Sequence, residues 1–140
     1  MGKVTSHLDF IILNTFIFVI NSNETQEHKI KILREYSKYP FIKKVLYYTY
    51  NPKIKFNLII NDIKFKDTKI NNKDKYVSLF LLLEDLSNNK CGNTHIIDFI
   101  QSYSIFKKVI VNILNQDLKI NVTNELLETA LPKLFKLSTA

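Results

Sequence analysis

Only two glycines and three prolines interrupt this chain of 140 residues. Tight turns draw on glycine and proline for backbone angles that other residues avoid, so a fold rich in hairpins has too little to work with here. Long helices joined by a few polar turns fit the shortage. Gly2 and Gly92 are also too few to build a Walker loop or a dinucleotide fingerprint, which excludes nucleotide binding of those kinds. With 46% hydrophobic and 24% charged residues, the chain reads as one globular domain over 1–140, long enough to bury a core.

Apolar spacing places the helices. Phe10 to Ile20 is the most apolar run, yet it falls well short of the roughly 20 residues a membrane helix requires. Asn21-Ser22-Asn23 is no signal-peptide cleavage site, so a buried first helix over Leu8–Ile20 is expected. That polar cluster is also expected to cap the second helix, whose stripe is Ile30, Leu33 and Tyr36. Pro40 suits the first turn of a third helix running to Tyr50, with Ile42, Val45, Leu46 and Thr49 on its inner face. Residues 53–70 suggest an extended or loosely helical connector. Lys75–Leu86 reads as a central core helix, with Glu84 and Asp85 as its polar end. Two turns come after it, Ser87–Asn93 and Asp117–Val122, the second leading into a helix capped by Thr123 and ending before Pro132. The predicted fold is all-α, a compact bundle of about six or seven helices with two helix-turn-helix-like units in the C-terminal half.

Charge narrows the partners. The formal net charge is +7, and residues 29–75 hold Arg34 and twelve lysines against four acidic residues. A basic block in a near-neutral chain fits a polyanion, although a solvated lysine-rich surface looks the same on charge alone. Lysine lacks the fork that reads guanine, so any contact is expected to be with the backbone and weakly sequence-specific.

Catalytic constellations are poor. His7, His28 and His95 are scattered, and Cys91 with His95 supplies two ligands where structural zinc wants four, so no metal is expected. No Lys-x-Asp-Gly adenylation motif occurs, so the chain is not expected to be an enzyme in isolation. One cysteine excludes an internal disulfide and suits a reducing cytosol, giving a cytoplasmic expectation.

The two turns carry the phosphate chemistry. A small-residue turn before a helix exposes N–H groups without partners, and these bind phosphate. Lys90-Cys91-Gly92-Asn93-Thr94 and Lys119-Ile120-Asn121-Val122-Thr123 share one layout: lysine, then an apolar residue or thiol, a residue tolerant of left-handed backbone, and a cap. Ordinary interhelical connection is the alternative.

Asp117-Leu118-Lys119-Ile120-Asn121-Val122-Thr123 resembles the Asp-Leu-Arg-Ile-Gly-Val-Ser signature of ATP-dependent DNA ligases. In the N-terminal DNA-binding domain of bacteriophage and viral ligases, that signature precedes a helix ending in an aromatic-Pro-Gly-Leu-Ile run. Here the matching end is Leu131-Pro132-Lys133-Leu134-Phe135. Cys91-Gly92-Asn93-Thr94 resembles the same domain's Thr-Gly-Asn-Ala turn. Ile32-Leu33 and Val45–Pro52 resemble its Ile-Leu helix and its Leu-x-Tyr-x-Tyr-Asn-Pro segment. The resemblance spans roughly residues 7–135. It implies a non-catalytic helical domain that meets the backbone of duplex or nicked DNA across the minor groove. A ligase catalytic domain, in cis or in trans, would then be a second partner, with ATP and Mg needed only there. No nucleotidyltransferase or oligonucleotide-binding domain is present in these residues. Carried over by position, the contacts are Gly92 and Asn93 in one turn and Lys119, Asn121 and Thr123 in the other. Lys90 and Thr94 flank the first, and Lys43, Lys44, Lys53 and Lys55 add charge from the basic block. Asn121 stands where the signature has glycine, and Glu125 and Glu128 stand where family members often carry lysine. Two alternatives are a ligase-derived interaction or virion protein that keeps the fold without DNA binding, and an unrelated helix-turn-helix DNA binder.

Overall fold

The computed structural model describes residues 4–56, 76–90 and 92–135, and among them lie seven α-helices and a 3₁₀ turn after the fifth, with no strand. In chain order they are α1 (His7–Asn21), α2 (Gln26–Tyr36), α3 (Pro40–Tyr50), α4 (Leu79–Ser87), α5 (Asn93–Ser102), the 3₁₀ turn Ser104–Phe106, α6 (Lys107–Leu114) and α7 (Asn124–Ala130). The domain is all-α, as the shortage of turn residues implies.

Ser6 and Asp9 start α1 with a reciprocal capping box: Asp9 N donates to Ser6 Oγ at 3.2 Å, and Ser6 N to Asp9 Oδ2 at 3.0 Å. Phe10, Leu13, Phe16 and Ile20 recur at helical spacing and are fully buried. The α2 cap differs from the expected one. Ser22 Oγ and Asn23 Nδ2 instead turn back to the carbonyls of Phe18 and Val19, closing the C-terminus of α1. Thr25 caps α2, accepting from His28 N at 3.3 Å. In α3, Pro40 sits in the first turn, and Ile42, Val45, Leu46 and Thr49 are all buried, as their spacing predicts.

The helix expected over Lys75–Leu86 begins only at Leu79. Tyr76, Val77 and Ser78 stay outside the helix, where Thr5, far away in sequence, takes the Val77 carbonyl and the Leu79 N–H. Thr5 N donates to Val77 O at 2.8 Å, and Thr5 Oγ1 accepts from Leu79 N at 2.8 Å, a cap supplied by a different part of the chain. Tyr103 OH closes the junction by donating to Thr5 O at 2.7 Å. Tyr76 OH donates to Asp85 Oδ2 at 2.5 Å, giving that carboxylate a structural partner, while Glu84 is exposed.

One hydrophobic cluster joins all the helices. Phe10 is fully buried in it, stacked on Phe106 at 5.1 Å and meeting the Phe41 ring edge-on at 5.6 Å. Helix α1 packs on α2 and α3, α3 on α6, and α6 on α5. Helix α7 packs chiefly on α2 rather than on its sequence neighbour α6. Arg34 fastens that pair, its Nε donating to Ala130 O at 3.2 Å and its Nη2 to Thr129 O at 3.4 Å. A guanidinium at a helix C-terminus meets the negative end of the helix dipole. Among the described residues no helix is long and apolar enough to cross a membrane.

Candidate nucleic-acid interface

Two surface turns and a short basic stretch carry the predicted contacts, and the structure treats them differently. The first turn closes α4. Asn89 is left-handed with φ 57°, which lets Lys90 N donate to Asp85 O at 2.7 Å. The sequence layout puts Gly92 at the left-handed position; instead it is extended, with φ −113° and ψ −178°, at the N-cap of α5. A Cβ added to Gly92 would meet nothing within 4 Å. Neither backbone angle nor internal space therefore requires glycine there. No side chain caps α5 at this end, so the N–H groups of Asn93 and Thr94, the first two helical residues, have no acceptor within the helix. Lys90, Gly92 and Thr94 are exposed. Cys91, half of the two-ligand pair considered for zinc, lies outside the described residues, and His95 packs edge-on against Tyr76 at 5.5 Å.

The second turn is held from three sides. Gln116 is left-handed (φ 59°) and ends α6, and its Nε2 donates to Ile54 O at 2.8 Å. Leu118 is buried, and its N–H donates to Tyr50 Oη at 3.2 Å. Asn21, at the end of α1, grips the loop with both ends of its amide. Its Nδ2 donates to Lys119 O at 3.0 Å, and its Oδ1 accepts from Asn121 N at 2.8 Å. The left-handed residue here is Lys119 (φ 60°), not Asn121. Asp117 supports that angle by accepting from Lys119 N at 2.9 Å and pairing with Lys119 Nζ at 3.2 Å. The Lys119 N–H holds the Asp117 carboxyl below the usual carboxylate range against the opposing effect of burial, and the Lys119 ammonium adds a smaller lowering. Burial pushes the Tyr50 phenol up to about 12.

The two turns are thus unlike. In the second, the N–H groups of residues 118, 119 and 121 are all engaged inside the molecule, and Val122 N donates to Ile120 O at 2.9 Å. Thr123 Oγ1 accepts from Leu126 N at 3.1 Å, a side-chain cap absent from the first turn. What the second turn offers outward is side chains: Lys119, Asn121 and Thr123 are exposed. So are Glu125 and Glu128 on α7.

The basic block also separates. Lys53 and Lys55 are exposed and come beside the second turn through the Gln116–Ile54 hydrogen bond. Lys43 and Lys44 lie at the other end of α3, Lys43 half-buried and Lys44 Nζ 5.3 Å from the centre of the Phe80 ring. Lys29 is buried, Arg34 is engaged with α7, and Lys38 pairs with Glu35 at 3.5 Å. The block is therefore not one continuous surface among the described residues. Lys64, Lys66, Lys69, Lys73 and Lys75 lie outside them. Asn21, Tyr50 and Gln116 escaped sequence reasoning, because each acts on residues more than sixty positions away. Compared with protein-family models, curated proteins and solved structures, the chain matches none.

Proposed function

We propose that this chain is a non-catalytic duplex-DNA-binding domain of the ATP-dependent ligase type, meeting the phosphate backbone through its two turns. Gly92 carries the reading. It is exposed at an uncapped helix start, beside exposed Lys90, and nothing inside the chain needs it to be glycine. A bare backbone at a helix N-terminus is what close approach of a phosphate requires. The second turn supports it with a fixed loop that presents Lys119, Asn121 and Thr123 next to Lys53 and Lys55. Lysine charge at these places grips backbone and reads little sequence.

Gly92→Ala gives a clean test. The added methyl enters open space at an ordinary φ, so stability should stay within about 0.5 kcal/mol. Duplex affinity at low salt should fall about tenfold, the size of a charge-assisted hydrogen bond lost to poorer approach. Lys119→Glu should flatten the salt dependence by about one phosphate contact, while Lys31→Glu on exposed α2 should not. Unaltered affinity in Gly92→Ala, or equal effects of the two charge reversals, would remove the turn-centred reading.

A second reading, a ligase-derived interaction protein that keeps the fold, draws on different observations. Asn121 N–H is engaged by Asn21, Lys119 is paired with Asp117, and Glu125 and Glu128 face solvent on the adjoining helix. No binding of duplex DNA by the native chain at low salt would select it.

A further inference from the structure

Helix α1 carries a second apolar stripe on the side away from the core. Leu8, Ile11 and Phe18 are 62%, 51% and 73% exposed, although the core-facing residues of the same helix are fully buried. With Thr15 and the C-cap residue Ser22, which are also exposed, they recur at alternating steps of three and four residues. That is the heptad spacing of a helix-pairing seam, not the 3.6-residue spacing of a face packed on its own domain. The two hydroxyls in the stripe are turned inward. Thr15 Oγ1 donates to Ile11 O at 2.9 Å and Ser22 Oγ to Phe18 O at 2.7 Å, so Thr15 is left presenting its methyl. The flanks are uncharged as well: Ile12 and Val19 on one side, His7, Asn14 and Asn21 on the other. The one charged residue of α1, Asp9, closes its own N-terminus.

We propose that this seam is a self-association surface, pairing α1 antiparallel with α1 of a second copy about a two-fold axis. The spacing is self-complementary in that direction. Leu8 meets Phe18 of the second copy and Ile11 meets Thr15 of the second copy, so a larger residue faces a smaller one in each layer. Each layer occurs twice by symmetry, as an isologous contact requires. In a chain of net charge +7, a helix face whose own residues carry no cation, with neighbouring Lys119 paired to Asp117, is also where two copies approach with least repulsion. A 15-residue helix presents a strip roughly 22 Å long and about 10 Å wide. Two such strips cover roughly 440 Å² in projection, a small contact of the weak, transient class, so association is expected at tens to hundreds of micromolar, on the order of 100 μM.

Sedimentation equilibrium of the native chain from roughly 5 to 500 μM spans that range. The mass should rise from 16.5 kDa toward twice that value. Phe18→Glu and Leu8→Glu alter only exposed side chains, so helical circular dichroism should persist. Because each change is counted twice, either should weaken association by about a hundredfold or more. In a Cys91→Ser background, the double variant Ile11→Cys/Thr15→Cys should crosslink two copies under mild oxidation, whereas Ile11→Cys alone should not, since antiparallel pairing keeps like residues apart. A native chain that stays monomeric throughout overturns the proposal and leaves the face to another protein or domain. A dimer that survives both glutamate variants, or crosslinks through Ile11→Cys alone, overturns it too.

Discussion

Replacing Asn21 by alanine tests whether one side chain sets the shape of the signature-like loop. Two hydrogen bonds vanish together: the 3.0 Å bond to Lys119 O and the 2.8 Å bond from Asn121 N. Both are exposed, so water regains the freed backbone groups and neither becomes a buried orphan. At about 0.5–1 kcal/mol each, the loss is about 1–2 kcal/mol. For a domain of this size that lowers the melting midpoint by about 4–8 °C. Asn21→Asp separates the two bonds. It keeps an acceptor for Asn121 N but sets a carboxylate against Lys119 O, so about half the loss should remain. Urea unfolding gives the energies, with an unchanged slope showing that the unfolded states are comparable. Amide hydrogen exchange gives the location: protection at Asn121 should drop in Asn21→Ala and be kept in Asn21→Asp. If Asn21→Ala unfolds within about 0.3 kcal/mol of the native chain and Asn121 exchanges as before, the amide does not hold the loop.

Thr5→Val should cost about 2–3 kcal/mol in denaturant unfolding, more than an ordinary cap, because it strands the Leu79 N–H in a buried setting; Thr5→Ser should recover most of it. Tyr50 governs the alkaline limb of stability. Its folded pKa, about 12, lies above the ordinary 10.0, so the unfolded chain gives up its proton first. The neutral phenol's contribution is complete below pH 10.0 and is lost as pH rises toward 12, and Tyr50→Phe should shrink this loss when unfolding is measured across that interval. Asp117 acts at the opposite end: its lowered pKa favours the fold at neutral pH, and the benefit disappears on acidification through the carboxylate range, a dependence that Asp117→Asn should reduce.

Local pattern made some of this fold legible. In α3, Pro40 marks the start, Asn51-Pro52 the end, and the four inner residues come from spacing alone, since nothing distant competes with them. Helix α4 shows the opposite. Tyr76–Ser78 look as ready for a helix as Leu79–Leu86, yet Thr5 claims the Val77 carbonyl and the Leu79 N–H, and no local pattern reports a partner more than seventy residues away. The site divides similarly. Thr123 is readable as a cap, and Gly92 stands out because glycine is rare here. The left-handed positions are not legible, because Asn89 and Lys119 take them with help from a helix end and from Asp117. Charge counting puts Arg34 in a basic surface, whereas geometry gives it two carbonyls of α7. A side chain's charge is written in the sequence; the group that claims it is not.

The contacts of α7 with α2, and of Thr5 with Tyr103, join the first third of the chain to its last. Helical domains usually fold fast because their contacts are local, and this one departs from that habit. During synthesis α1 and α2 emerge early, but the surface that α7 covers on α2 stays wet until residue 130 has left the ribosome. The waiting interval keeps apolar surface in the open, where other chains compete for it. Refolding should therefore be slower than helix content alone implies. Moving α7 ahead of α2 in chain order, by circular permutation through a flexible linker, should shorten the wait.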